Sequence, residues 1–344
     1  MRTNVRRAGW LAALLTIFTF GAVFNGAVAE PLKIRWGVVG AAAPADISAI
    51  LFADPSILKH YGKSYTVEAT NFRGTAFIVP ALAAKELDVA MLGNSAFALA
   101  ILNAKVDIKV IADEVQEGVP GWFSGTWFVR DDSPVKKPCD LKGKSVAVPA
   151  KGTALDLAQR AMLKKTCGFT ADRDYTIVEV GFANQEAFLR DKKVDLAILI
   201  PPFMQTALVK GGIHKLFNNE EAVGKSQFVV TVARTEFLAN NRAAMEDFME
   251  DYLIAWRWYL DPANMEKAYR LTAAHTKMPI DTFRGWAFVK GKDYYRDPSA
   301  VPNLDALQAD IKLMHEFGFI PQNFEVRKHA DLTFIETAKR RVAP

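Results

Sequence analysis

Arg73 stands in the stretch Phe72-Arg73-Gly74-Thr75, and a planar guanidinium there can grip a carboxylate or sulfonate through two parallel hydrogen bonds. Four other stretches place small or turn-forming residues where a strand gives way to a helix. They are Gly37 to Ser48, with Ala41 and Ala42 ahead of Pro44; Gly93-Asn94-Ser95; Lys151-Gly152-Thr153-Ala154; and Pro201-Pro202-Phe203. The first turn of a helix carries N–H groups without intrahelical acceptors and a partial positive charge, so each corner can hold an anion. Each also has a plain reading. Ser95 and Thr153 suit ordinary N-caps, and Thr153 with Asp156 matches a capping box. Arg73 is equally a solvated loop cation. Five corners in one chain nevertheless make Ala41, Ala42, Pro44, Arg73, Asn94, Ser95, Gly152, Thr153, Pro202 and Phe203 the candidate ligand-binding residues. Trp127, like Trp36 and Trp122, lies near a strand end and is a candidate aromatic wall, although large aromatics more often fill cores.

Other chemistry has no signature. His60, His214, His275, His315 and His329 show no H-E-x-x-H spacing and no neighbouring cysteines, so neither a metal nor a cofactor is expected. Gly93-Asn94-Ser95-Ala96-Phe97 lacks the closing glycine of a nucleophile elbow. Neither G-x-x-x-x-G-K-[ST] nor G-x-G-x-x-G occurs. The carboxylates are scattered, and no acid/base pair stands out. The expectation is a binding protein and not an enzyme.

The corners need a scaffold of strands and helices. Apolar runs at Ile34–Val39, Tyr65–Thr70, Val89–Leu92, Ile108–Ile111, Ser145–Val148, Thr176–Val180 and Leu196–Ile200 read as strands. Helical periodicity fills the gaps, for example over Phe77–Lys85 and Ala96–Asn103. Strands alternating with helices predict an α/β protein of mainly parallel sheets flanked by helices, with ligand sites beyond the carboxyl ends of the strands. The first series predicts a lobe over residues 30–130. A second series predicts an inserted lobe over 131–227. The chain then returns through a strand at Gln227–Val232, and the first lobe is completed by 228–344 with helices at Arg242–Leu260, Met265–His275 and Leu304–Phe317. Two hinge crossings join the lobes.

Residues 1–29 read as a signal peptide: Arg2, Arg6 and Arg7, an apolar run from Ala8 to Val23, and the small residues of Ala27-Val28-Ala29 ahead of Glu30. Removing those three arginines from 43 basic residues leaves 40 against 38 acids, a net +2, which gives no nucleic-acid footprint. Export brings an oxidising compartment. Cys139 lies before one predicted strand and Cys167 after the helix that follows it, so both fall at the same end of a strand–helix unit. A disulfide is expected there, with two buried free thiols as the alternative.

Three stretches carry a family resemblance. Ala81-Leu82-Ala83-Ala84-Lys85-Glu86-Leu87-Asp88-Val89-Ala90 is similar to an "A-L-x-x-G-E-L-D" pattern, with Lys85 for the usual glycine. Asp140-Leu141-Lys142-Gly143-Lys144-Ser145-Val146-Ala147-Val148, followed by Gly152-Thr153, is similar to "D-L-K-G-K-x-V-A-V". Val194-Asp195-Leu196-Ala197 with Pro201-Pro202-Phe203 is similar to "V-D-A-x…E-P-F". Over nearly all of the chain after the leader, this order resembles the periplasmic binding proteins of nitrate, taurine and alkanesulfonate ABC importers, thiamine-precursor binders included. The resemblance implies a two-lobed periplasmic binding protein of the type II fold that closes on a small molecule and docks on an inner-membrane permease with its ATPase. It carries binding roles onto Ala41 to Pro44, Asn94, Ser95, Gly152 and Thr153. Pro201 stands where many relatives have Glu, which removes a carboxylate from the cleft rim and disfavours an amine-bearing ligand. The expected ligand is a small organic anion, a sulfonate or carboxylate, aromatic ones included. The alternatives are a neutral pyrimidine-like heterocycle, a ligand-sensing receptor subunit and, last, a pyrimidine synthase-like enzyme. A monomer in the periplasm is expected.

Overall fold

Ile34, Trp36 and Val38 alternate with Lys33 and Arg35, the period-two pattern of a half-buried strand, and form β1 (Leu32–Val38). The computed structural model describes residue 1, residues 30–39, residue 47 and residues 50–342. Residues 2–29 of the expected leader, and the corner residues Ala41, Ala42 and Pro44, lie outside the described residues. After β1 come β2 (Tyr65–Asn71), α1 (Val79–Ala83), β3 (Val89–Gly93), α2 (Asn94–Leu102) and β4 (Ile108–Glu117). Next are β5 (Thr126–Arg130), β6 (Ser145–Val148), α3 (Ala154–Cys167), β7 (Thr176–Glu179), α4 (Phe182–Arg190), β8 (Leu196–Leu199), α5 (Phe203–Lys210), β9 (Ile213–Asn218), α6 (Asn219–Val223) and β10 (Ser226–Arg234). The rest is mainly helical: α7 (Thr235–Asn240), α8 (Arg242–Leu260), α9 (Met265–Thr276), α10 (Leu304–Glu316) and α11 (Thr333–Arg341).

The strands form two five-stranded sheets, β2-β1-β3-β10-β4 and β7-β6-β8-β5-β9. The two share one plan. Each is parallel except for one strand that runs antiparallel to both its neighbours: β10 between β3 and β4, and β5 between β8 and β9. Those two odd strands are the ones by which the chain changes sheets. The expected lobe boundary at residue 130 falls at the end of β5. Thr126–Arg130 belongs to the second sheet, where Trp127 lies opposite Ile198 and Phe217, so the outward passage is 118–125. The return passage is 224–225, beside the expected boundary at 227. At the passages a Cβ on Gly118 would come within 2.4 Å of the Gly224 carbonyl, so only glycine lets the two segments lie this close.

The "E-L-D" and "V-D" stretches have matching structural roles. Asp88, just ahead of β3, accepts from the Arg35 N–H (3.1 Å) and guanidinium (2.8 and 2.6 Å) on β1, and from Arg234 Nη2 (2.8 Å) at the end of β10. Asp195, just ahead of β8, accepts from Ser145 N and Oγ on β6, each at 3.0 Å. Arg130, at the end of β5, donates to the Val194 carbonyl at 3.1 Å. Both aspartates therefore tie strands together at the amino end of the parallel sheet, away from the helix-start corners.

The aromatic core lies under α8. Trp36 packs against Phe52, Phe248 and Tyr252, with ring centroids 5.5, 5.6 and 6.1 Å apart. Strand β4 runs six residues beyond the expected Ile111 because its carboxylates find buried donors. Gln227 Nε2 donates to Asp113 (2.6 Å), Thr231 Oγ1 to Glu114 (2.6 Å), and the Gly125 N–H to Glu117 (3.1 Å). A Cys139–Cys167 disulfide is present, with Cα atoms 5.4 Å apart. It links the approach to β6 with the last residue of α3.

Candidate functional site

The parallel strands of both sheets end at one cavity of about 80 Å³. Val39 follows β1, Gly74 and Thr75 follow β2, and Gly93 ends β3. Met91, Val115, Phe228, Val229 and Tyr294 complete the side contributed by the first lobe. Pro149 follows β6, Ile200 follows β8, and Thr153, Ala154, Leu155 and Phe182 sit at the starts of α3 and α4. No lining residue among those described carries a charged side chain. Most of the wall is apolar, and Phe182, Phe228 and Tyr294 give it aromatic surface.

Helix starts supply the polarity. Thr153 caps α3: its Oγ1 accepts from the Asp156 N–H at 3.4 Å and donates to the Ala150 carbonyl at 2.8 Å. The Asp156 carboxylate reaches back to the Gly152 N–H at 2.9 Å, so the capping box closes one residue earlier than the pattern expects. That leaves the Ala154 and Leu155 N–H groups without acceptors among the described residues. Gly181 caps α4 without a side-chain bond, and Phe182 starts that helix at the cavity wall. The α2 start reaches the same place through Gly93. A Cβ on Gly93 would lie 3.2 Å from Thr75 Oγ1 and 3.3 Å from the Ala154 Cβ.

The candidates from sequence divide accordingly. Thr153 lines the cavity, and Gly152 adjoins it. Ser95 is fully buried and donates through Oγ to the Gly152 carbonyl at 2.8 Å, joining the lobes. Asn94 turns inward, its Nδ2 donating to Ser226 Oγ (3.2 Å) and Asp310 Oδ2 (3.0 Å). Arg73 lies just outside the lining, with its guanidinium 3.7 Å over the ring of Phe77. Pro202 lines a separate groove of about 790 Å³ with Met204, Arg284 and Trp286, and Phe203 starts α5 beside it. Trp127 is wholly buried, stacked on Phe217 at 5.6 Å, and its indole donates to Asn219 at 3.0 Å. It belongs to the core of the second lobe and not to the cavity. Phe182 was legible as a strand end, a glycine and a helix start, the same signal as the other corners. Tyr294, in a loop after α9, carries no local signal.

Asp310, beneath the α2 start, is buried, and burial pushes its carboxyl up to about 8 although Asn94 and Ser226 donate to it. An unfolded aspartate titrates near 3.9, so the folded state holds this proton more tightly. The resulting stability is full below about pH 4 and is lost as pH rises through about 8. Asp113 and Glu117, each raised by burial to about 7, act in the same direction. Melting temperature is expected to fall between about pH 4 and 8, and Asp310→Asn to flatten part of that fall. Parallel curves for the two proteins would remove Asp310 as a source.

Among the described residues, His60, Asp247 and Glu250 cluster closely enough to hold a cation. Their carboxylates are already engaged, however: Lys59 sits 2.8 Å from Glu250 and Arg341 3.0 Å from Asp247.

A family model described as ABC transporter, phosphonate, periplasmic substrate-binding protein matches residues 62–242. No curated protein matches the chain in sequence. Solved structures match over most of its length. The alkanesulfonate-binding protein of Xanthomonas axonopodis pv. citri, bound to MOPS, is 18% identical, with a TM-score of 0.68 over 89% of this chain and 100% of that one. The periplasmic nitrate-binding protein of Synechocystis PCC 6803 is 13% identical, with a TM-score of 0.65 over 91% and 89%. A desulfurization enzyme is 14% identical, with a TM-score of 0.62 over 90% and 99%. At such identities the likeness is one of fold, and the fold alone accommodates both binders and an enzyme.

Proposed function

The chain belongs to the family of phosphonate ABC-transporter periplasmic substrate-binding proteins, and we propose that it captures a small organic anion with an apolar body, a sulfonate or carboxylate, aromatic ones included. As the solute-binding component of an ABC importer it works with a small-molecule ligand and a membrane permease. Family membership supports reading it as a periplasmic binder without catalysis; cleavage before Glu30 and a monomeric state rest on the amino-acid sequence alone. One observation carries the ligand class: helix starts from both lobes converge on a cavity whose described lining holds no carboxylate. Brought together, these positive ends repel, and an anion between them turns the repulsion into attraction. The apolar wall suits a hydrocarbon or aryl body, whose burial stabilises the complex by about 25 cal/mol per Å². Closure follows as selection of the state in which both lobes touch the ligand.

A neutral heterocycle such as a pyrimidine is the second reading. It is favoured by Phe182, Phe228 and Tyr294 in the wall and by the position of Arg73 over Phe77. Thermal melting of the chain from Glu30, freed of ligand by refolding, decides between them. The panel is benzenesulfonate, benzoate, alkanesulfonates, phosphonates, nitrate and pyrimidines. Ligand at a hundred times its dissociation constant adds about 2.7 kcal/mol. The expected result is a rise with sulfonates or carboxylates that carry an apolar body. A rise with pyrimidines alone would reject the anion.

A further inference from the structure

Ser95 and Gly152 sit on opposite lobes and bond to each other. The donor is held from one side. The Ser95 N–H is bonded to Asn94 Oδ1 at 2.7 Å, and Asn94 is anchored to Ser226 and Asp310 in the first lobe. The acceptor is held from the other. Gly152 has a φ of +80°, the left-handed region that favours glycine, and its N–H is bonded to Asp156 in α3. Around this bond the lobes meet in small residues: the position of a Cβ on Gly74 is 3.8 Å from Ala150, and that of a Cβ on Gly93 is 3.3 Å from Ala154. Every partner in the contact belongs to the chain itself.

We propose that the Ser95 hydroxyl is an inter-lobe latch, a positioning group that favours the closed state and does not contact ligand. This rests on the two-lobed clamp described above but not on the class of its ligand. In the closed state the Ser95 hydroxyl and the Gly152 carbonyl have each other; in the open state water serves both. Removing the hydroxyl therefore penalises closure alone, because the carbonyl is left buried and unpaired only when the lobes meet. Apparent affinity scales with the fraction of molecules able to close. Loss of the latch lowers it by one common factor for every ligand, whereas loss of a ligand contact changes the ranking among ligands.

The test compares Ser95→Ala with wild type in two measurements on the chain from Glu30. The first is amide hydrogen exchange without ligand. Protection at Gly152 to Leu155 and at Ser95 to Phe97 is expected to drop by up to about five-fold, the scale of one neutral hydrogen bond, while protection in α8 stays unchanged and so reports an intact fold. The second is titration with benzenesulfonate, benzoate and methylphosphonate, where every probe that binds wild type is expected to weaken by one common factor, which multiplied by the loss of protection comes to about five. Unchanged exchange at both helix starts together with unchanged affinity overturns the latch. So does loss of one probe with retention of another, which would make Ser95 a ligand contact. If none of the three binds wild type, the anion reading fails, while exchange and titration with the pyrimidines together still decide the latch.

Discussion

Asp88→Ala is expected to lower the unfolding free energy by about 3 kcal/mol, the lower end of the range for breaking a buried ion pair. Asp88 is almost fully buried and engages Arg35 on β1 and Arg234 on β10 at once. Burial by itself would raise its carboxyl, but the hydrogen bonds from Arg35 and Arg234 override that and hold it below the ordinary range. Without the carboxylate, Arg234 is left largely buried beside the Leu87 carbonyl, with only the exposed Glu236 at 3.6 Å to offset its charge. Arg35 is the more exposed partner and recovers water, which keeps the loss from the upper end of the range. The sign with pH follows. A depressed folded value stabilises above the unfolded value of about 3.9 and is lost as pH falls through the folded one. Asp88→Ala therefore loses most at neutral pH, and the gap to wild type narrows in acid. Urea unfolding at about pH 7 and about pH 3 measures both. A loss under about 1 kcal/mol at neutral pH, the size of a surface pair, would mean that Asp88 does not tie the three strands together.

Gly93→Val is expected to weaken ligand binding by roughly 5- to 150-fold, the equivalent of about 1–3 kcal/mol of overpacking. Gly93 ends β3 where the α2 start meets the α3 start across the cleft. A Cβ there already sits 3.2–3.3 Å from Thr75 Oγ1 and the Ala154 Cβ, and the two γ-carbons of valine need room between the lobes that closure removes. The backbone of Gly93 is extended, with φ −63° and ψ 152°, so valine brings no strain of its own. The penalty falls on the closed form. Melting of the unliganded chain should change little, while affinity for whichever anion of the panel binds should drop. Wild-type affinity in Gly93→Val would place the ligand away from this meeting point.

Much of this molecule was legible locally. The helices α8, α9 and α10 lie where their 3.6-residue periodicity placed them, because one buried face is enough to define each. The Thr153 cap needed only residues 150 to 156 to form its bonds. The Cys139–Cys167 pairing followed from a strand and a helix running in opposite directions. The alternation of strands and helices was sufficient for two α/β lobes, since parallel strands need crossovers.

The remainder depended on partners far away in the chain. The end of β4 reads as a loop because Asp113, Glu114 and Glu117 are carboxylates in sequence. It becomes a buried strand only once Gln227, Thr231 and Gly125 donate to them. Strand Thr126–Arg130 carries no mark of its sheet; its pairing with β8 and β9 decides that. Trp127 looks the same whether it lines a cleft or a core until Phe217 and Asn219 cover it. Arg73 is one cation among many until its ring partner places it. Most strands and helices and their order could be read from chain order, because caps and periodicity act within a few residues. Which helix starts converge and which polar side chains are buried had to come from the fold, because pairing and desolvation are set by neighbours that chain order does not make adjacent.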